Sequence, residues 1–247
     1  MVSLYELADI ANDIYGDEAG SRSFTGWSRT AQNTFLTSSG FCAGIYECKE
    51  RYPRALVLAF RGTDTKRGKR ANDADWNYGN YGNFLIGTST QAVEALAIWE
   101  NVARKSSRDV YLSGHSLGGA LVSLAAIGRR GYGDMRMAGG ATFCAPGVSL
   151  ASSPSEYFRD LKELPILNVL IHGDDVSAVP GMLAGRRQWM GAPYKDKHSI
   201  DHLWKMLGWT EFGRSSLRDA YLRADDNRSI SEVFLAIGRR TASAIGF

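Results

Sequence analysis

The run Asp109-Val-Tyr-Leu-Ser-Gly114-His115-Ser116-Leu117-Gly118-Gly119-Ala-Leu-Val-Ser-Leu-Ala-Ala126 joins a short apolar, strand-like stretch to a helical one through Gly-x-Ser-x-Gly. A serine at such a junction sits on a turn so sharp that positions two before and two after have almost no room for a side chain. Gly114 and Gly118 meet that demand. The turn lifts the Ser116 hydroxyl clear of the sheet. It also directs the N–H of Leu117, with the positive end of the following helix, toward any oxyanion formed beside the serine. Those are the needs of acyl transfer, and they require a strand before the serine and a helix after it.

A chain of 247 residues is long enough to bury a sizeable core, and α/β folds of this size are routinely one domain. A single domain over 1–247 is therefore expected. The composition, 44% hydrophobic and 22% charged, is that of an ordinary globular protein. A formal charge of +3 without a clustered basic face excludes a nucleic-acid footprint. Cys42, Cys48 and Cys144 show no Cys-x-x-Cys spacing and cannot all pair, so reduced thiols are expected. The opening Met-Val-Ser-Leu-Tyr-Glu-Leu-Ala-Asp lacks both a basic flank and an unbroken apolar stretch. No secretory signal is visible there, which leaves the compartment open between cytoplasm and export without a cleaved signal. No run is long enough to span a bilayer, so membrane contact is expected to be peripheral.

Ser3 and Glu6 form a capping-box pattern, with Leu4, Leu7, Ala8 and Ala11 at helical spacing behind it, which predicts a helix to about Tyr15. Residues 16–40 read as loop. Phe41 to Lys49 and Ala55 to Phe60 read as a hairpin of two strands around Pro53. Helices are expected over Thr88 to Arg104, after the elbow, from about Ser153-Pro154, over Ser199 to Leu207, over Ser215 to Arg223, and over Ser229 to Ile245. Met137 to Cys144 and Ile166 to His172 read as buried strands. Strands alternating with helices predict an α/β fold: a mainly parallel sheet covered on both faces.

An elbow serine needs a base and a group that orients the base, and in α/β-hydrolases these follow in the order Ser, Asp or Glu, His. Downstream of Ser116, the apolar run ending at His172 is followed by Gly173-Asp174-Asp175-Val176. A carboxylate at the C-terminal end of a buried strand is well placed to meet an imidazole on a later loop. Alternate residues at a strand end face opposite ways, so either Asp174 or Asp175 points into the site, not both. His172 is too constrained beside that carboxylate to bridge it to Ser116. His198 and His202 remain as bases, four residues apart. His115 points away from the serine side chain and reads as a packing residue.

Four motifs in order, Leu56-Val-Leu-Ala-Phe-Arg61-Gly62-Thr63, Gly114-His-Ser-Leu-Gly-Gly-Ala-Leu121, Thr142-Phe-Cys-Ala-Pro-Gly147 and Asp174-Asp-Val-Ser-Ala-Val-Pro180, resemble the class 3 lipase family of fungal triacylglycerol lipases and plant acyl hydrolases. The resemblance implies an α/β-hydrolase fold and carries a second oxyanion donor onto Thr63. It favours Asp174 over Asp175, although Ser177 stands where the family has its first proline. His198-Ser-Ile-Asp201-His-Leu203 matches the plant register and favours His198, while His202-Leu-Trp204 mimics the fungal one.

These roles imply a serine carboxylic-ester hydrolase of lipase or phospholipase type acting on lipid acyl esters, with no cofactor and no metal. The His198/His202 spacing alone lacks the third ligand a zinc site needs. Residues 64–87 hold Lys66, Arg67, Lys69 and Arg70, then Trp76, Tyr78, Tyr81 and Phe84. The resemblance makes this stretch a lid-like loop, and its cations suit peripheral contact with an anionic lipid surface. The rival readings are an esterase or thioesterase on short soluble substrates, and a catalytically silent binding module of the same fold.

Overall fold

The computed structural model describes residues 1–16, 23–63, 90–128, 137–148, 161–179 and 181–224. The stretches predicted as a lid-like loop at 64–87, as a helix from about 153 and as a helix over 229–245 lie outside the described residues.

Among the described residues, seven strands form one sheet in sequence order: β1 (Thr34–Leu36), β2 (Cys42–Glu47), β3 (Ala55–Phe60), β4 (Asp109–His115), β5 (Met137–Phe143), β6 (Ile166–Ile171) and β7 (Arg186–Met190). The first three are antiparallel neighbours, and β3 to β7 run parallel. The described helices are α1 (Leu4–Asp13), α2 (Thr90–Lys105), α3 (Leu117–Gly128), α4 (Ile200–Gly208), α5 (Glu211–Arg214) and α6 (Leu217–Arg223). This is the mainly parallel, helix-covered sheet of the α/β-hydrolase fold. The strands β1 and β7 were not foreseen. Both are short edge strands of mixed or half-buried residues, so neither carries the apolar alternation that marks a strand. Residues 211–214 form a separate turn of helix ahead of α6, each opened by its own cap, Thr210 and Ser216.

The side-chain period of two divides the sheet between two cores. Val57 and Ala59 of β3 face α1 and α4, while Leu58 and Phe60 face α2 and α3. The central strands β3 and β6 are buried along their whole length, as parallel strands covered on both faces must be. Leu4, Leu7 and Ile10 of α1 and its C-cap Ile14 are fully buried, each contributing about 1.5–3 kcal/mol. The capping box forms as predicted: Ser3 Oγ accepts from the Glu6 N–H, and the Ser3 N–H donates back to the Glu6 carboxylate. Ser113 of β4 donates its hydroxyl to the Leu7 carbonyl at 2.7 Å, pinning α1 across the strand that ends in the elbow. Tyr15, two residues beyond α1, reaches His115 from there.

A buried Asn168 ties β5, β6 and β7 together. It accepts from the Thr142 hydroxyl and donates to the carbonyls of Ala184 and Arg186. With these bonds made, the polar side chain sits in the core without an unmet group. The crossover it anchors, residues 172–185, carries Asp174. The three cysteines are buried and form no disulfide. Among the described residues, no helix is long and apolar enough to cross a membrane.

Candidate active site

At the C-terminal end of β4, Ser116 takes φ 56°, a left-handed conformation that costs a non-glycine residue strain. The geometry around it leaves no space at the flanking glycines. A Cβ on Gly114 would lie 2.8 Å from the Gly119 nitrogen and closer still to the Gly118 carbonyl. One on Gly118 would lie 2.8 Å from the Phe60 carbonyl carbon. Close backbone approach is therefore what demands glycine at both positions. Leu117 opens α3, and the first N–H groups of a helix have no partner within it. Thr63, half-buried, follows the end of β3, where a Cβ on Gly62 would lie 3.2 Å from Ser116 Cβ. The two strand ends are thus in contact beside the serine.

Of the two histidines left open by the sequence, His198 meets the serine. Its Nε2 lies 2.8 Å from Ser116 Oγ, and its Nδ1 lies 3.0 Å from Asp174 Oδ1. His202, inside α4, is exposed and lies tilted against Tyr194 at 5.1 Å between ring centroids. The difference comes from the helix start: Ser199 is the N-cap of α4, so His198 precedes the helix and reaches back, while His202 is carried a turn away. Asp174 is buried and Asp175 exposed. His172 follows the end of β6 and stacks on Trp189, away from this group.

Four donors saturate the Asp174 carboxylate. His198 Nδ1 and the Val176 N–H reach Oδ1. The Ser177 N–H reaches Oδ2 at 3.0 Å and the Ser177 hydroxyl reaches it at 2.5 Å. Burial on its own raises the carboxyl pKa, and the hydrogen bonds and charge of His198, together with those from Ser177, overcome it, leaving Asp174 below the ordinary carboxylate value. Serine in place of the family's proline thus has a local reason, since a proline there could donate neither bond. An ionised Asp174 accepts at His198 Nδ1–H, so neutral His198 is bare at Nε2 and accepts the Ser116 hydroxyl proton.

Sequence reasoning had read His115 as a packing residue. It is buried, yet both its ring nitrogens are engaged: Nε2 with the His198 carbonyl at 2.8 Å and Nδ1 with the Tyr15 hydroxyl at 2.9 Å. Burial, then the charge of His198, lowers its pKa to about 3. Tyr15 carries no sequence signal, because its part depends on α1 crossing β4. Cys144, buried at φ 51°, lies in the same cluster, and burial holds its thiol well above the ordinary value. Among the described residues, His115, Cys144 and His198 are the group whose ligand atoms gather within 4.8 Å. Both imidazoles are already committed to hydrogen bonds, so an ion there would have to break the Ser116–His198–Asp174 chain or the His115 contacts.

The fold has solved relatives at low identity. The triacylglyceride lipase of Rhizomucor miehei is 15% identical with a TM-score of 0.52, covering 75% of this chain and 78% of that one. A fungal lipase–inhibitor complex is 15% identical with a TM-score of 0.55, covering 76% and 78%. The lipase of Rhizopus microsporus var. chinensis is 15% identical with a TM-score of 0.50, covering 87% and 84%. No curated protein matches the chain by sequence. The family model for the Tle-like phospholipase domain, described as phospholipase-like, matches residues 6–148, more than half of the sequence. The chain belongs to the Tle-like phospholipase domain family, on a fold similar to that of fungal triacylglycerol lipases.

Proposed function

We propose that this protein is a serine hydrolase of lipid carboxylic esters, with glycerophospholipids as its substrate class. The observation that carries the reading is the continuous chain from Ser116 Oγ through His198 to Asp174, at 2.8 Å and 3.0 Å. His198 takes the proton as Ser116 attacks the ester carbonyl, and Asp174 holds the imidazole in the required tautomer and stabilises the cation that forms. The N–H groups of Leu117 and Thr63 stabilise the tetrahedral oxyanion. His198 then returns the proton to the departing alcohol. Water, deprotonated by the same histidine, releases the fatty acid and regenerates the serine. The His198 side chain is 31% exposed, which leaves an edge open to substrate, whereas that of Asp174 is 2% exposed. The phospholipid preference rests on the family, and the cations at 66–70 suit an anionic surface.

A fluorophosphonate probe should label the wild-type protein and not Ser116→Ala. Asp174→Asn and His198→Ala should each cost several orders of magnitude in ester hydrolysis, while Asp175→Asn and His202→Ala should cost little. A panel of p-nitrophenyl esters, triacylglycerols and phospholipids then ranks substrates. Substantial hydrolysis by folded Ser116→Ala would refute the hydrolase reading. Activity confined to short soluble esters would replace the phospholipase reading with that of an esterase.

A further inference from the structure

We propose that His115 and Tyr15 form a fixed support that positions His198 for proton transfer, making them positioning residues of the hydrolase site described above, on which reading the inference rests. A carbonyl oxygen only accepts, so the contact between His115 Nε2 and the His198 carbonyl requires the proton on Nε2. The neutral ring is then bare at Nδ1 and accepts the Tyr15 hydroxyl proton. Direction is thereby set along the whole relay: Tyr15 donates to His115, and His115 donates to the backbone of His198. That carbonyl belongs to the residue just before the N-cap of α4, a point where the chain is leaving a loop. Among the described residues, no other group hydrogen-bonds that carbonyl. The two imidazoles also lie against each other, with centroids 4.7 Å apart.

The support is built to stay neutral. His198 becomes a cation during each acyl transfer, and a second cation beneath it would oppose that step. Burial keeps His115 uncharged, and in that neutral state the Tyr15 hydroxyl donates to its bare Nδ1. The room for that hydroxyl comes from Gly62, where any Cβ would overlap Tyr15 Oη and would lie 2.6 Å from the His115 carbonyl. One glycine beside the proposed oxyanion donor therefore also admits the tyrosine.

The test compares Tyr15→Phe, His115→Leu and His115→Gln in the full-length protein, using the fluorophosphonate labelling rate together with kcat and KM on p-nitrophenyl butyrate. Glutamine keeps an N–H donor for the His198 carbonyl and an acceptor for Tyr15, whereas leucine keeps neither. Misplacing a reacting group by about 1 Å can cost about 100-fold. His115→Leu should accordingly lose about 100-fold in labelling rate and kcat with KM within about twofold. Tyr15→Phe, which removes one oxygen and keeps the ring, should lose about 3- to 10-fold, the scale of one hydrogen bond. His115→Gln should recover most of the loss. A purely structural role would instead lower thermal stability and active-site titre in leucine and glutamine variants alike. Equal labelling rates for wild type and His115→Leu, or equal impairment of the leucine and glutamine variants, would overturn the proposal. Failure of the wild-type protein itself to be labelled would overturn the hydrolase reading and this inference with it.

Discussion

His115 should make the protein acid-sensitive well before its carboxylates protonate. In the folded state its pKa is lowered to about 3, first by burial and then by the charge of His198. An unfolded histidine titrates near its ordinary value of about 6.5. Because the folded pKa is the lower one, the unfolded chain binds the extra proton between these limits. The neutral residue's contribution is complete above about pH 6.5, falls as pH drops, and is gone near pH 3. Within that window the slope is about 1.4 kcal/mol per pH unit. Going from pH 7 to pH 4.5 should cost about 2.5 kcal/mol through this one group, a large share of an ordinary folding stability of about 5–15 kcal/mol. His115→Gln removes the titration while retaining a donor and an acceptor. Urea unfolding of both proteins at pH 7, 5.5 and 4.5 measures the effect, since all other ionisable groups are common to both. The stability difference between wild type and variant should shift by about 2.5 kcal/mol in the variant's favour on acidification. Parallel pH curves would refute the reasoning and mean that His115 can be protonated in place.

Ser177→Ala should weaken the buried Asp174 carboxylate by about 1.5–3 kcal/mol, the value of a hydrogen bond to a charged group. The depressed Asp174 pKa contributes stability above its unfolded value near 3.9, lost as pH falls through the folded one, so urea unfolding across this range should show a smaller acid-dependent loss in this variant, whose folded pKa lies closer to the unfolded value. Gly118→Ala should destabilise by at least about 1–3 kcal/mol, because its Cβ meets the Phe60 main chain rather than a movable side chain. Chemical denaturation reads this directly, and hydrolysis should fall with it as the elbow shifts. Replacing Lys66, Arg67, Lys69 and Arg70 by Gln should lower hydrolysis and binding on phosphatidylglycerol vesicles at low salt, while leaving a soluble short-chain ester nearly unaffected. Equal losses on both substrates would show a folding defect instead.

Much of this architecture could be read from one dimension because its causes are local. The capping box at Ser3, the apolar periods of β3 and β6, and the glycine frame of Ser116 each follow from residues within a few positions of one another. The edge strands β1 and β7 escaped notice because their identity depends on the neighbours they pair with, not on an alternation of their own. The same limit applied to the site. The sequence narrowed the carboxylate to Asp174 or Asp175 and the imidazole to His198 or His202, and the family resemblance favoured Asp174 and His198. Only the tertiary structure shows which pair meets Ser116: the N-cap at Ser199 frees His198 to reach back, and the turn after β6 buries one carboxylate under four donors. The engagement of Tyr15 and His115 was invisible for the deeper reason that it joins positions a hundred residues apart. It exists because a serine of β4 seats α1 across the strand, and no pattern within either segment records that crossing.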